Sequence, residues 1–334
     1  MKLFKSLALA GLATLGLSLA MPVTAQAQDW LEGTPKKPIS DLKIGFSFRG
    51  GAGGNLYVAQ YVAQLHKMAD ELGIELVIVD AEDDPGRQTQ QLPELIAQQP
   101  DAIVVWALSA AGIVPALKQA SDAGIPVVTV VADVDPSGQQ YVKAHAGPND
   151  TLQGTQAAQA LIDAMGGKGN VVQIMGTAGF APAEMRAQAF RDVAAKYPDI
   201  KLLDTQVGTW SVGTGQSLME NFITRFGKDI DGVITSDGYT GTGAYLAVEA
   251  AEKAGTLEPG HVKFADPNAV GTSYDLVKDG KYSATVLQLP EADAEFSFKI
   301  AIRVAAGIEV PRYSYLQTPV ATPQNYADYP RPGL

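Results

Sequence analysis

Cysteine is absent from the 334 residues. The chain therefore has no disulfide framework, no thiol nucleophile and no cysteine to take a lipid at a processing site. Histidine is scarce: His66, His145 and His261 stand far apart and none falls in an H-x-x-x-H spacing, so metal chemistry finds no support. His66 reads as a surface or packing histidine. Neither the G-x-S-x-G elbow of a serine hydrolase nor the G-x-x-x-x-G-K-[ST] loop of an NTPase occurs. Lysine and arginine nowhere gather into a stripe, which makes nucleic acid and anionic membrane poor partners. These absences argue against an enzyme, and neither a metal nor any other cofactor is expected.

What is present begins with an address. Lys2 and Lys5 precede an apolar run from Leu7 to Ala20, Pro22 breaks it, and Ala25-Gln26-Ala27 has the small-x-small pattern that a signal peptidase accepts. The run is shorter than the ~20 residues that span a bilayer. Residues 1–27 are thus expected to be an export signal cleaved after Ala27, leaving a periplasmic protein that starts at Gln28. Losing the two signal lysines takes the formal charge from −11 to −13, an acidic surface that serves solubility.

Short runs rich in Val and Ile alternate with segments of helical spacing. The strand candidates are Lys43–Phe48, Glu75–Val79, Ala102–Trp106, Val127–Val131, Asn170–Met175, Lys201–Val207, Gly232–Ser236 and Val262–Ala265. Such runs, bounded by Gly, Pro, Asp or Asn, mark parallel strands buried on both faces. The βα pattern runs twice. It predicts an α/β fold of two Rossmann-like lobes, one from residues 41–145 plus about 289–312 and the other from 149–288 plus about 313–330. The segment Ala144–Asp150 reads as the first passage between them, and the chain crosses the gap three times. Glu291, Asp293 and Glu295 resemble paired carboxylates, but at a helix start they are more simply partners of the helix dipole.

The stretch RGGAGGN after the first strand resembles a dinucleotide loop only in part. Gly51 and Gly53 supply two glycines of G-x-G-x-x-G, the third place holds Leu56, and Asp80 stands 29 residues after Gly51 instead of about 20. Ligands of open α/β sheets lie beyond the carboxyl ends of the strands. There the chain places Arg49, Asn55, Tyr57, Trp106, Asp133, Arg186, Trp210, Asp237, Asp266, Asn268 and Gln288. Planar polar groups pair with adjacent hydroxyls while aromatic rings cover C–H faces, so such a set suits a neutral polyhydroxyl molecule.

Three segments carry a family resemblance: GTAGFAPAEMRAQAF, with Arg186 four residues before Phe190; GVITSDGYTGTGAYLAV, with Asp237; and DGKYSATVLQLP, with Gln288. Over essentially the whole mature chain the sequence resembles the periplasmic sugar-binding proteins of the ribose- and galactose-binding type, the solute receptors of ABC importers. The resemblance implies a type I periplasmic binding protein with a three-crossover hinge, a monomer that takes a sugar or polyol to a membrane permease. It leaves a chemoreceptor open as a further partner. It also implies that Asn55 and Tyr57 face the ligand and that the glycine loop is a sugar cradle. Arg186 and Asp237 are expected to be replaceable at little cost in folded stability. One departure stands out. The family's adjacent Asp and Arg after the fourth strand are replaced by Val131 and Ala132, with Asp133 one residue late and Arg49 a candidate substitute. A receptor for a furanose-like signalling molecule and a secreted nucleotide-dependent oxidoreductase stay open as alternatives. A repressor of this architecture would carry a basic helix-turn-helix where this chain has its export signal.

Overall fold

In the computed structural model, residues 30–51 and 55–333 are described, and one compact unit runs from Gly33 onward. The expected export signal and the middle of the glycine loop, Ala52–Gly54, lie outside the described residues.

The first lobe is built from β1 (Lys43–Phe48), α1 (Leu56–Leu72), β2 (Glu75–Asp80), α2 (Pro85–Ala97), β3 (Ala102–Val105), α3 (Val114–Asp122), β4 (Val127–Val130) and β5 (Ala144–Gly147). The second holds α4 (Asp150–Ala164), β6 (Gly169–Met175), α5 (Ala181–Ala194), β7 (Ile200–Val207), α6 (Val212–Phe226), β8 (Gly232–Thr235), α7 (Gly238–Lys253), β9 (Lys263–Asp266), α8 (Gly271–Lys278) and β10 (Ala284–Val286). Then come α9 (Pro290–Ala305), β11 (Tyr313–Tyr315) and β12 (Val320–Ala321). Among the described residues the strands form two six-stranded sheets, ordered β11-β5-β4-β3-β1-β2 and β12-β10-β9-β8-β6-β7. All pairings are parallel except that of β10 with β12. The expected α/β fold of two parallel-sheet lobes is present.

Burial explains the composition of the strands. β3, β4 and β8, central in their sheets, are buried at every residue, whereas the edge strands β2 and β7 are largely half-exposed. Helices cover both faces of a parallel sheet, so its inner strands read as continuous Val and Ile. Helix starts follow capping chemistry: Asn55, Asp84, Asn149, Ser211 and Asp237 each accept backbone N–H bonds from the first turn that follows.

Two boundaries differ from the sequence reading. Ala144–Gly147, expected as a passage, is β5, a strand of the first sheet, and the crossing follows it. The third crossing, expected at about residue 313, comes after β11. Tyr313–Tyr315 pairs with His145–Gly147 of the first sheet, and only β12 joins the second.

Both sheets have the same order, with β1 beside β3 and β6 beside β8, and in each of these pairs the two strands leave through helices on opposite faces, α1 with α9 against α3 with α2, and α5 with α4 against α7 with α6. The loops after β1 and β3, and after β6 and β8, diverge there and open a crevice.

Candidate functional site

A cavity lies where those loops from the two lobes meet. Nine of the sequence-selected residues line it: Arg49, Asn55, Tyr57, Trp106, Arg186, Trp210, Asp237, Asn268 and Gln288. Asp133 and Asp266 do not. Asp133 bends back to accept from the Val134 N–H (2.8 Å) and from Gln139 Nε2 (2.7 Å). Asp266 is fully buried behind the pocket, where it accepts from the Thr285 hydroxyl (2.5 Å). The sequence reading placed both at strand ends correctly but could not see which way each carboxylate turns.

Arg186 is the hub on the second-lobe side. It is buried, and its Nε donates to Asp150 Oδ1 (2.8 Å), Nη1 to the Ser236 carbonyl (3.0 Å), and Nη2 to Gln153 Oε1 (2.9 Å) and Gln288 Oε1 (3.1 Å). Guanidinium has five N–H donors, so one on Nη1 remains. Gln288 continues the network: its Nε2 donates to the Tyr57 hydroxyl (2.7 Å) and to Asp293 Oδ2 (2.8 Å), and the same hydroxyl donates to Asp293 (2.6 Å). A chain of bonds thus runs from Asp150 through Arg186 and Gln288 to Tyr57 of the first lobe. Asp293, expected to serve the helix dipole, is fully buried in the first turn of α9 and anchors this chain.

Asp237 caps α7, accepting from Tyr239 N–H and Thr240 N–H (both 3.2 Å). Burial raises its pKa above the usual carboxylate value, and the cap bonds and Arg186 only partly offset this. Burial likewise carries Asp150 up to about 6 despite the guanidinium beside it, Asp293 up to about 6 and Asp266 up to about 7.

Arg49 is held by Asp83 (2.6 Å) and lies 5.8 Å from the Trp106 ring and 5.6 Å from the Phe180 ring of the other lobe. Phe180 in turn meets Trp210 edge-on at 5.6 Å. Gly50 and Gly51 serve this arrangement. A Cβ on Gly50 would meet the Asp83 backbone at 2.6 Å and one on Gly51 would meet the Asp83 carboxylate at 2.9 Å, so these two glycines give room to the neighbouring loop that holds Arg49. Gly176 does the same for Trp210, whose ring a Cβ there would meet at 2.3 Å.

The sequence reading missed Phe180, Val131, Tyr239 and Val270 as pocket-lining residues, and Asp150, Gln153 and Asp293 behind them. Tyr239 was accessible to sequence reasoning, standing two residues after Asp237 in the first turn of α7. The buried Trp106 Nε1 and Asn268 Oδ1 have no hydrogen-bond partner among the described residues. Such groups are costly unless something pairs with them, and here they leave one donor and one acceptor for a guest.

A family model described as the periplasmic binding protein domain matches residues 44–309. The chain belongs to the periplasmic binding protein family. The xylitol-binding protein of Mycolicibacterium smegmatis is 30% identical over 252 residues, covering 75% of this chain and 70% of that protein. The galactofuranose-binding protein of Escherichia coli is 30% identical over 253 residues, covering 75% and 78%. Among solved structures, an ABC transporter periplasmic solute-binding protein of Actinobacillus succinogenes with bound D-allose superposes with a TM-score of 0.75 at 25% identity, covering 86% of this chain and all of that one. By name these relatives bind sugars or polyols, and the third is the solute-binding protein of an ABC transporter. No described helix is long and apolar enough to cross a membrane.

Proposed function

We infer that this chain is exported, captures a small uncharged sugar or polyol between its lobes and presents the closed form to an ABC permease. The observation that carries the reading is the state of the two pocket guanidiniums. Arg49 is already neutralised by Asp83 and Arg186 by Asp150, so the cavity holds no spare positive charge, while Asp237 adds a carboxylate. A sugar acid or a phosphate would need a cationic partner that the described lining does not leave free. A neutral molecule rich in hydroxyls would not. It could accept from the remaining Arg186 N–H and from Trp106 Nε1, donate to Asn268 Oδ1, and lay its C–H faces on the rings of Trp106, Phe180 and Trp210. The xylitol, galactofuranose and D-allose of the relatives are molecules of this kind.

Hinge closure around ligands is the established motion of periplasmic binding proteins. Arg49 stacked against Phe180 and the Gln288–Tyr57 bond are contacts that opening the cleft would stretch. A thermal-shift screen of pentoses, hexoses, alditols and sugar acids tests the reading, because binding to the folded state raises the melting temperature. Neutral members should stabilise and sugar acids should not. Stabilisation by acids alone would overturn it. For the export claim, mass spectrometry of periplasmic protein should find Gln28 as the first residue, and a retained Met1 would refute it.

A further inference from the structure

The two walls of the pocket differ in chemistry. The second lobe presents Arg186, Asp237, half-buried Asn268 and Gln288 beside Phe180, Pro182, Trp210, Tyr239 and Val270, whereas the buried members of the first-lobe wall are Tyr57, Val58, Trp106 and Val131. The hydroxyl of Tyr57 is already used as donor to Asp293 and acceptor from Gln288. Among the described residues, the rest of that buried wall is hydrocarbon and ring, apart from Trp106 Nε1–H, which has no partner among them. The polar residues of the first lobe, Arg49 and Asn55, are only half-buried.

Backbone geometry maintains this difference. β4 ends in a one-residue turn in which the Ala132 N–H donates to the Val130 carbonyl (2.6 Å) and Val131, between them, has φ of 59°. Turns of this kind with positive φ are rare and strained, and a β-branched residue in the left-handed region is an outlier. Neighbouring structure enforces the turn. Gly147 of β5 lies so close that a Cβ there would sit 2.8 Å from Val131 N. The turn brings Val131 into the pocket wall and carries Asp133 out of it, to Gln139 and to within 3.8 Å of His145. Strain kept in a pocket wall is a reason to look for function. Positive φ is rarer for a β-branched residue than for Asn or Asp, so the valine gives up backbone comfort for an apolar surface.

We propose that the first-lobe wall selects a ligand with a hydroxyl-poor edge: a deoxy sugar, whose methyl or methylene group packs against Val131 and Val58. The proposal deepens the sugar-or-polyol reading and rests on it. A hydroxyl pressed on this wall loses its water and finds no acceptor. Trp106 Nε1–H is matched by an oxygen that only accepts, such as a ring ether oxygen, which favours the cyclic form.

Calorimetry with three matched pairs tests it: D-fucose against D-galactose, L-rhamnose against L-mannose, and deoxyribose against ribose. In at least one pair the deoxy sugar should bind about tenfold to a hundredfold tighter, the upper figure being what an apolar pocket achieves against an added hydroxyl. Val131→Ala should keep that preference and Val131→Asp should abolish or reverse it, with some loss of melting temperature in the Asp variant because a carboxyl buried on this wall has no partner. If the hydroxylated partner binds as tightly or more tightly in every pair, the apolar-wall proposal fails while the sugar-or-polyol reading stands. If no neutral aldose, alditol or deoxy analogue binds at all, both fail. An unchanged preference in Val131→Asp would also overturn the role given to Val131.

Discussion

Arg186 is tied down more heavily than its place after a strand foretold. Four bonds to Asp150, Ser236, Gln153 and Gln288 leave it one N–H, so it builds the pocket as well as facing it. Removing one partner of a buried ion pair strands the other charge and costs about 3 to 5 kcal/mol. Arg186→Ala should therefore lose that much stability in urea denaturation of the ligand-free protein, against the sequence expectation of little loss; an unchanged midpoint would show that Asp150 finds other partners. Asp237→Ala should lose about 1 kcal/mol, the typical worth of a helix cap, and Asp237→Asn, whose amide oxygen still caps, should keep most of it. Scanning the residues after each strand found most of the pocket because strand ends are local features. The partners behind it were not legible that way. Asp150 and Gln153 lie 36 and 33 positions from Arg186, and Asp293 lies 236 from Tyr57; only the fold brings them together.

Helices can hold these residues only where their backbones are placed closely enough, and glycine sets that distance. A Cβ on Gly215 of α6 would stand 2.1 Å from the Thr240 carbonyl oxygen of α7, and one on Gly243 of α7 would stand 1.9 Å from the Val212 carbonyl oxygen of α6. The two helices touch backbone to backbone. Because α6 follows Trp210 and α7 starts at the Asp237 cap, this contact fixes the relation of two pocket residues. Gly243→Ala should cost roughly 1 to 3 kcal/mol or more by overpacking and weaken sugar binding with it. Gly213→Ala, where nothing lies within 4 Å and φ is not in the positive range, should be neutral or slightly stabilising through the unfolded chain. Equal losses in chemical denaturation would remove the packing account. At this scale the eight strands read from Val and Ile density agree with the structure to within one residue at each end. β5 escaped because Ala-His-Ala-Gly has no β-branched residue: its small side chains and Gly147 make room for the turn at Val131. β11 and β12 are three and two residues long, too short to leave a period.

Across the whole molecule, burial has collected acids around a single buried guanidinium, and stability should register that imbalance. Asp150 and Asp293 are raised to about 6, Asp266 to about 7, and Asp237 is raised as well. A carboxyl whose pKa is higher folded than unfolded holds its proton more tightly in the native state. Its contribution is full below the unfolded value of 3.8 and is lost as pH rises through 6 to 7. His145 acts in the opposite sense: burial in the hinge strand β5 lowers its pKa from 6.5, so its contribution is present above that value and lost on acidification. Asp133 and Arg312, the charges facing it, pull that shift in opposite directions. The surface acids Asp204, Asp275 and Glu249, lowered mainly by their bonds to Arg225, Arg331 and Lys253, lose their contribution only as pH falls below the ordinary carboxylate range. With four buried acids against one histidine, the ligand-free protein should melt higher at about pH 5 than at about pH 8. Asp266→Asn keeps an oxygen to accept from Thr285 and removes the most strongly raised group of those with a stated value, so it should flatten the profile. A change of about 1 kcal/mol moves the midpoint by roughly 1.5–2 °C in a protein of this size, which calorimetric scans resolve. A melting temperature equal or higher at the alkaline end would mean that the buried acids are ionised and compensated, and an unaltered slope in Asp266→Asn would move the effect away from the core behind the sugar pocket.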